Sequence, residues 1–342
     1  MDTRSYLKSD GAIVLGESVS CDGFAYDKPF RVQTHIHHDH MVDFDTSKAN
    51  QHIVVSSETL ALLKALYNAD IPYRSNIQVV SCGEIFACED EAVLLLPSHH
   101  MLGSVQVLVT HSDGYRVGYS SDFFWPVQDV IECDELVVDA TYGDSLRSRN
   151  FSQQEAEDSL IKAVCESIAR GQPTACIGHN GRLQSALHVV SDLISWPIIC
   201  SPRAYPVASV YRDHGYAIPN VLLSTSPEAI TLLKERHPCF AFVTLPEQRH
   251  LPWVSRMRKI VLSAYVSTRD HPIVQYSNGD CAISFTDHAS FEGTLEYIRA
   301  TGARRVLADP RSGNAQALAT SVRDVLGLEA SEIPIHESAS WG

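Results

Sequence analysis

Residues Thr34 to His40 read T-H-I-H-H-D-H, and inside them His35-x-His37-x-Asp39-His40 sets four potential metal ligands in six positions directly after an apolar stretch. Histidine and aspartate are seldom buried unless paired or bound to a cation, and so many on one turn repel each other once charged and stripped of water. The segment is hard to explain as structure alone and points to a metal centre at a strand end. Its neighbours read more plainly: His38 as a surface residue, Asp43 and Asp45 as turn or cap residues whose short carboxylates bond nearby amides.

The 342 residues suit a large α/β unit carrying an insertion, and 44% hydrophobic with 20% charged residues is ordinary globular composition. No apolar run has membrane-spanning length, and Met1-Asp2-Thr3-Arg4 leads into no signal-like core, so a cytoplasmic protein without membrane contact is expected. The nine cysteines form no C-x-x-C pair and read as reduced, mostly buried thiols. A net charge of −14 opposes nonspecific adhesion to nucleic acid. It does not exclude a nuclease, because divalent cations and local arginines can hold a phosphodiester on an acidic protein.

Up to about Asp139 the chain reads as short strands, Ala12 to Leu15, Phe30 to Gln33, Ile53 to Ser56, Ala92 to Leu96, Val105 to Thr110, Tyr115 to Ser120 and Leu136 to Val138, with one helix from Ser57 to Tyr67. Several strands end on a polar candidate, which is where a rigid sheet can present chemistry. Beyond Ser145 strand and helix alternate: a helix from Ser152 to Arg170 with a Ser152/Glu155 capping box, Ala175 to Ile177, Arg182 to Leu193, Pro197 to Cys200, Ala204 to Tyr211 and Ser226 to Glu235. Strands return at Ile260 to Ala264 and Ala282 to Phe285, followed by a helix from Ser290 to Thr301, a strand from Arg304 to Leu307 and a last helix after Gly313.

Two ions could share the first loop, His35 and His37 on one, Asp39 and His40 on the other, with zinc as the expected metal and manganese or iron as substitutes. A further imidazole is expected from His99-His100-Met101-Leu102-Gly103-Ser104 and a bridging carboxylate from Asp122.

The ordered set His35-x-His37-x-Asp39-His40, His100, Asp122 resembles the metallo-β-lactamase superfamily. Asp139-Ala140-Thr141-Tyr142-Gly143 and Thr286-Asp287-His288-Ala289-Ser290 resemble motifs flanking the β-CASP insertion of nucleic-acid nucleases. Leu295 to Asp309 is similar to the ligase-associated DNA exonucleases, and Asp22-Gly23-Phe24 to the Artemis and crosslink-repair branch. The resemblance implies an αββα sandwich from 1–145 and 262–342, with an inserted α/β, β-CASP-like cap domain from 146–261. Against the family pattern G-H-x-L-G-S/A, His100 is in register and His99 stands where glycine is usual. Asp309 stands where RNA-type members have a histidine ligand, so it is read either as an oxygen ligand to a second ion or as a turn or cap residue.

The activity so implied is hydrolysis of phosphodiester bonds by a metal-bound hydroxide, with one or two Zn2+ or with Mn2+. Asp39 belongs to the reacting centre, His288 is the candidate general acid, and Asp139 orients it. Arg147, Arg149, Arg182, Arg203 and Arg311 are candidate phosphate contacts, and Tyr142, Trp125 and Tyr265 could stack bases. The expected partner is DNA, as single strands or ends, with RNA second; a protein partner or homo-oligomer stays open. Two rivals remain, a small-molecule hydrolase opening lactones or thioesters and a silent binding subunit.

Overall fold

A computed structural model describes residues 3–67, 69–265 and 268–337. It divides into two compact units, Met1–Ser148 with His288–Gly342, and Arg149–Asp287.

The first unit is built on two seven-stranded sheets. One runs, edge to edge, Ile335–His336, Ser5–Lys8, Ile13–Leu15, Val19–Cys21, Phe30–Val32, His52–Val55 and Ile77–Val79. The other runs Glu329–Glu332, Arg305–Ala308, Glu135–Val138, Arg116–Tyr119, Val105–Thr110, Glu91–Pro97 and Ile85–Cys88. Strand residues alternate between faces, and the burial follows that period. Val93 and Leu95 enter the core between the sheets with Ile13, Val32, Val107, Val117 and Leu307. Their neighbours Leu94 and Leu96 pack on the opposite side with Leu136, Val138, Tyr297, Ile298 and Leu318. The last three belong to helices Phe291–Thr301 and Ala315–Ser321, which therefore cover the second sheet. Helix Ser57–Leu66, capped by Ser56 Oγ accepting from the Thr59 amide, buries Leu62 and Leu63 after a first-sheet strand. The result is the αββα sandwich expected from the sequence.

Strand Ser5–Lys8, which carries no clear alternation, is held by a distant carboxylate. Glu135 is fully buried and accepts from the Ser5 amide (3.0 Å), the Ser5 hydroxyl (2.5 Å) and the Arg4 amide (3.1 Å).

The second unit is a seven-stranded sheet in the order Leu222–Leu223, Ile198–Cys200, Phe240–Thr244, Thr174–Gly178, Arg258–Leu262, Cys281–Ile283, Ile273–Gln275. All its pairings are parallel except that of the last two strands. The capping box at Ser152/Glu155 is present and opens helix Gln153–Ala169. Two features differ from the sequence expectation. Phe240–Thr244, not foreseen as a strand, lies inside the sheet between Ile198–Cys200 and Thr174–Gly178 with all five residues buried, and a short, almost wholly apolar run has no period to announce it. The insertion also extends to Asp287 rather than 261, because Cys281–Ile283 pairs with Arg258–Leu262 (Ile260 with Cys281, Leu262 with Ile283) and so completes this sheet.

Candidate metal centre

The centre forms where strands of the first unit end. After Phe30–Val32 the chain leaves the sheet, and His38–His40 forms one helical turn. His35 and His40 are buried, His37 is partly buried, and His38 and Asp39 are exposed. Buried Gln33 shapes this loop by donating to the carbonyls of His35 (2.6 Å) and His40 (2.9 Å), while fully buried Arg31 donates to Gln33 Oε1 (2.7 Å) and to the Val42 carbonyl (2.8 Å).

His35, His37, His100 and Asp122 each offer a ligand atom, all within 4.8 Å of one another. His100 Nε2 lies 3.0 Å from His37 Nδ1 and 3.5 Å from Asp122 Oδ2, and His35 Nε2 lies 3.6 Å from that same oxygen. Ligand atoms on a tetrahedron with bonds near 2.0–2.1 Å stand about 3.4 Å apart, so these spacings suit one small divalent ion. His35 Nε2 is buried and has no hydrogen-bond partner, whereas its Nδ1 contacts Thr34 Oγ1 (3.0 Å). A dry, unpartnered nitrogen aimed at two other imidazoles and a carboxylate is costly unless a cation completes it. Burial, with His40 and His100 close by, pushes the His35 pKa well below its ordinary value, so the ring is neutral as a ligand must be.

Asp122 presents its other oxygen to His40, with Oδ1 3.3 Å from His40 Nε2. Burial alone would raise its pKa, but His40, then His288 and His100, hold it well below the carboxylate norm. His40 Nδ1 lies 2.7 Å from Asp22 Oδ2. Burial would depress the His40 pKa, yet Asp122 and Asp22 on either side raise it well above the imidazole norm. Asp39 Oδ2 stands 3.9 Å from His40 Nε2, and its side chain is 62% exposed.

Asp309 is placed differently from the ligand expectation. Its Oδ2 accepts from Arg311 Nη2 (2.7 Å) and Nε (3.0 Å) and its Oδ1 from Nε (3.1 Å), and it joins none of the ligand groups found among the described residues. Arg311, expected to face phosphate, is correspondingly bound inward. So is Arg182 of the second unit, whose buried guanidinium pairs with Asp287. Arg147 lies in the turn Ser145–Arg147, but its side chain is outside the described residues.

His288 Nδ1 lies 3.0 Å from Asp139 Oδ2, and its ring centroid is 4.6 Å from that of His100. Asp139 Oδ1 accepts from the Thr141 amide (2.8 Å), the Thr141 hydroxyl (2.8 Å) and the Ser312 hydroxyl (3.0 Å), which fixes the carboxylate. Asp122, Asp139 and His288 also bring ligand atoms within 4.8 Å of one another. Of the histidine pair, His100 is buried in the cluster. His99 is exposed and takes φ +59°, the left-handed conformation that explains glycine at this position of the family pattern.

Residues that sequence reasoning did not name as site residues complete the arrangement. Asp22, fully buried, accepts from the Thr34 amide and hydroxyl (each 2.9 Å), from His40 Nδ1 and from Tyr119 (3.2 Å). The likeness of Asp22-Gly23-Phe24 to a repair-nuclease motif was the available signal; Tyr119, inside an apolar strand, offered none.

No protein-family model matches the chain. An uncharacterized protein in a lig 3' region of Acidianus ambivalens is 32% identical over 139 residues, which cover 98% of that protein and 40% of this chain. The two proteins belong to one family. A probable DNA ligase of Opitutus terrae is 24% identical over 314 residues, 87% of this chain but only 28% of the ligase. Among solved structures, a protein of unknown function from Enterococcus faecalis V583 covers 83% of this chain and 76% of its own, with TM-score 0.54 and 11% identity. The metallo-β-lactamase fold protein YhfI from Bacillus subtilis matches 40% of this chain and 64% of its own, with TM-score 0.30 and 12% identity. No helix among the described residues is long and apolar enough to cross a membrane.

Proposed function

We propose that this chain is a metal-dependent hydrolase of phosphodiester bonds, a nuclease acting on DNA before RNA and most simply as an exonuclease. The observation that carries this reading is the convergence of His35, His37, His100 and Asp122 around a buried, unpartnered His35 Nε2, beside the His288–Asp139 pair. The names of two relatives, one in a lig 3' region and one a probable DNA ligase, support a DNA context.

A zinc-class ion bound there supplies Lewis acidity and a water acidified to a pKa of about 7. The chain's own residues supply orientation and proton traffic. His35, His37 and His100 would hold the ion as neutral imidazoles, and the Asp122 carboxylate would offset its charge. Asp139, held by Thr141 and Ser312, fixes the His288 ring through Nδ1, so that Nε2 of its imidazolium form is the nitrogen that hands a proton to the departing oxygen and leaves a neutral ring.

One observation favours a second reading, a small-molecule hydrolase of the same fold: Arg182 and Arg311 are both spent on internal carboxylates. Zinc- or manganese-loaded protein assayed on 5′- and 3′-labelled single-stranded DNA, duplex DNA and RNA separates the two. Cleavage of labelled DNA that chelation stops and His35→Ala abolishes is the expected result. Turnover of a lactone or thioester with no cleavage of any nucleic acid would replace the nuclease reading.

A further inference from the structure

Just ahead of the metal-binding turn, Arg31 is a buried cation bonded to neutral oxygens alone. It has no solvent exposure, and burial pushes its pKa down to about 10, which leaves it charged at neutral pH. Nε (3.1 Å) and Nη2 (2.7 Å) donate to Gln33 Oε1, Nη2 also reaches the His40 carbonyl (3.3 Å), and Nη1 donates to the Val42 carbonyl (2.8 Å) and the Ser47 hydroxyl (3.1 Å). The Phe44 ring centroid lies 5.1 Å from its Cζ. All these groups belong to the first unit. A guanidinium stripped of water and bonded to no carboxylate is costly, so stability by itself is a poor reason for its presence.

The orientation of Gln33 follows from this cation. A guanidinium has donors and no acceptor, so the amide atom of Gln33 that faces it must be the oxygen. The Gln33 NH2 group is thereby turned to the other side, where it donates to the carbonyls of His35 (2.6 Å) and His40 (2.9 Å), the two ends of the H-x-H-x-D-H turn. Were the amide reversed, its oxygen would meet two carbonyl oxygens while its NH2 met the guanidinium, acceptor against acceptor and donor against donor. The Arg31 fork forbids that flip, and its bonds to the His40 and Val42 carbonyls hold the exit of the same turn.

We propose that Arg31 is a positioning residue for the metal centre: its guanidinium locks the Gln33 amide so that one side chain clamps the His35 and His40 carbonyls and holds the turn with the His35 ring among His37, His100 and Asp122. The proposal rests on the metal-site reading above and gives a purpose to a buried charge that this reading leaves unused. The sign of the effect separates it from simple electrostatics. A cation repels a divalent ion, so removing Arg31 would tighten metal binding if charge were its whole influence. Loss of the clamp weakens binding instead, because groups that orient a ligand raise the affinity of the site they support.

The test uses full-length protein labelled with 15N-glutamine, in wild type, Arg31→Met and Gln33→Met. Hydrogen exchange of the Gln33 side-chain NH2, identified by its absence from Gln33→Met, reads the clamp in metal-free protein, and chelator competition with Zn2+ alone reads affinity. In wild type that NH2 should be protected, and Arg31→Met should lose about tenfold or more of the protection. Both variants should bind zinc about 10–100-fold more weakly, the range usual for groups that support a ligand. A substitution that only lowered stability would leave the folded molecules binding zinc as before, so affinity distinguishes positioning from mere support. Zinc affinity within about twofold of wild type in Gln33→Met, or tighter than wild type in Arg31→Met, would overturn the proposal and leave Arg31 as a buried strut. If Arg31→Met does not fold, Gln33→Met decides by zinc affinity. Failure of wild type to take up zinc would instead refute the metal-site reading, and the Gln33 protection in metal-free Arg31→Met would still judge the clamp.

Discussion

Replacing Asp22 by asparagine isolates the contribution of one buried charge. The carboxylate accepts from the Thr34 amide and hydroxyl at 2.9 Å, His40 Nδ1 at 2.7 Å and Tyr119 at 3.2 Å, with no solvent exposure. Asparagine has a single oxygen. If it serves Thr34, its amide nitrogen is turned toward His40 Nδ1 and the Tyr119 hydroxyl, setting donor against donor. Tyr119 cannot relieve the clash by rotating, because its oxygen already accepts from Arg311. One or two buried donors thus lose their acceptor at about 1–3 kcal/mol each, which predicts a loss of about 1–6 kcal/mol. That is a large share of the roughly 5–15 kcal/mol that holds a typical protein folded. His40 can escape part of the cost by giving up its Nδ1 proton and keeping the one on Nε2 that faces Asp122, so zinc affinity should fall together with stability. Urea unfolding of metal-free Asp22→Asn, followed by circular dichroism beside chelator competition for Zn2+, measures both. A stability within about 0.5 kcal/mol of wild type, the range of ordinary surface substitutions, would refute the reasoning.

Two further outcomes are expected. His100→Ala should lose stoichiometric zinc while His99→Ala keeps it, because only His100 reaches Asp122 and His37; elemental analysis of the two purified variants decides, and the opposite result would move the ligand to His99. Glu91, buried, accepts from His111 Nδ1 (2.7 Å) and the Glu17 and Ser18 amides (2.9 Å each). Burial works against its ionisation, but those donors prevail and lower its pKa. A lowered folded value means that the stabilisation is complete above the unfolded glutamate value of about 4.3 and is lost as pH falls below it. Glu91→Gln should therefore flatten the acid limb of stability between about pH 5 and 3 in urea midpoints, and an unchanged acid slope would refute this.

The sequence by itself determined the things that local pattern encodes. The H-x-H-x-D-H turn, the strand ends carrying His100, Asp122 and Asp139, the capping box at Ser152, and the change from sheet sandwich to alternating α/β texture are all written within a few residues of where they act. Side-chain period and cap chemistry are short-range physics, so one stretch of chain is enough to reveal them. The tertiary structure alone decided how charge is balanced between distant segments. Asp309 could be a ligand or a cap as long as its neighbours were unknown; the fold sets Arg311 on both its oxygens and directs the same guanidinium at Tyr119. Asp22 carried a motif likeness but no visible partner until folding brought His40 and Tyr119 to its carboxylate. The interior strand Phe240–Thr244 and the extent of the insertion to Asp287 were hidden for the same reason, since a fully buried parallel strand has no polar face and its identity lies in the strands that flank it. A buried charge must find its partner wherever the packed chain places one, and sequence separation carries no information about that distance.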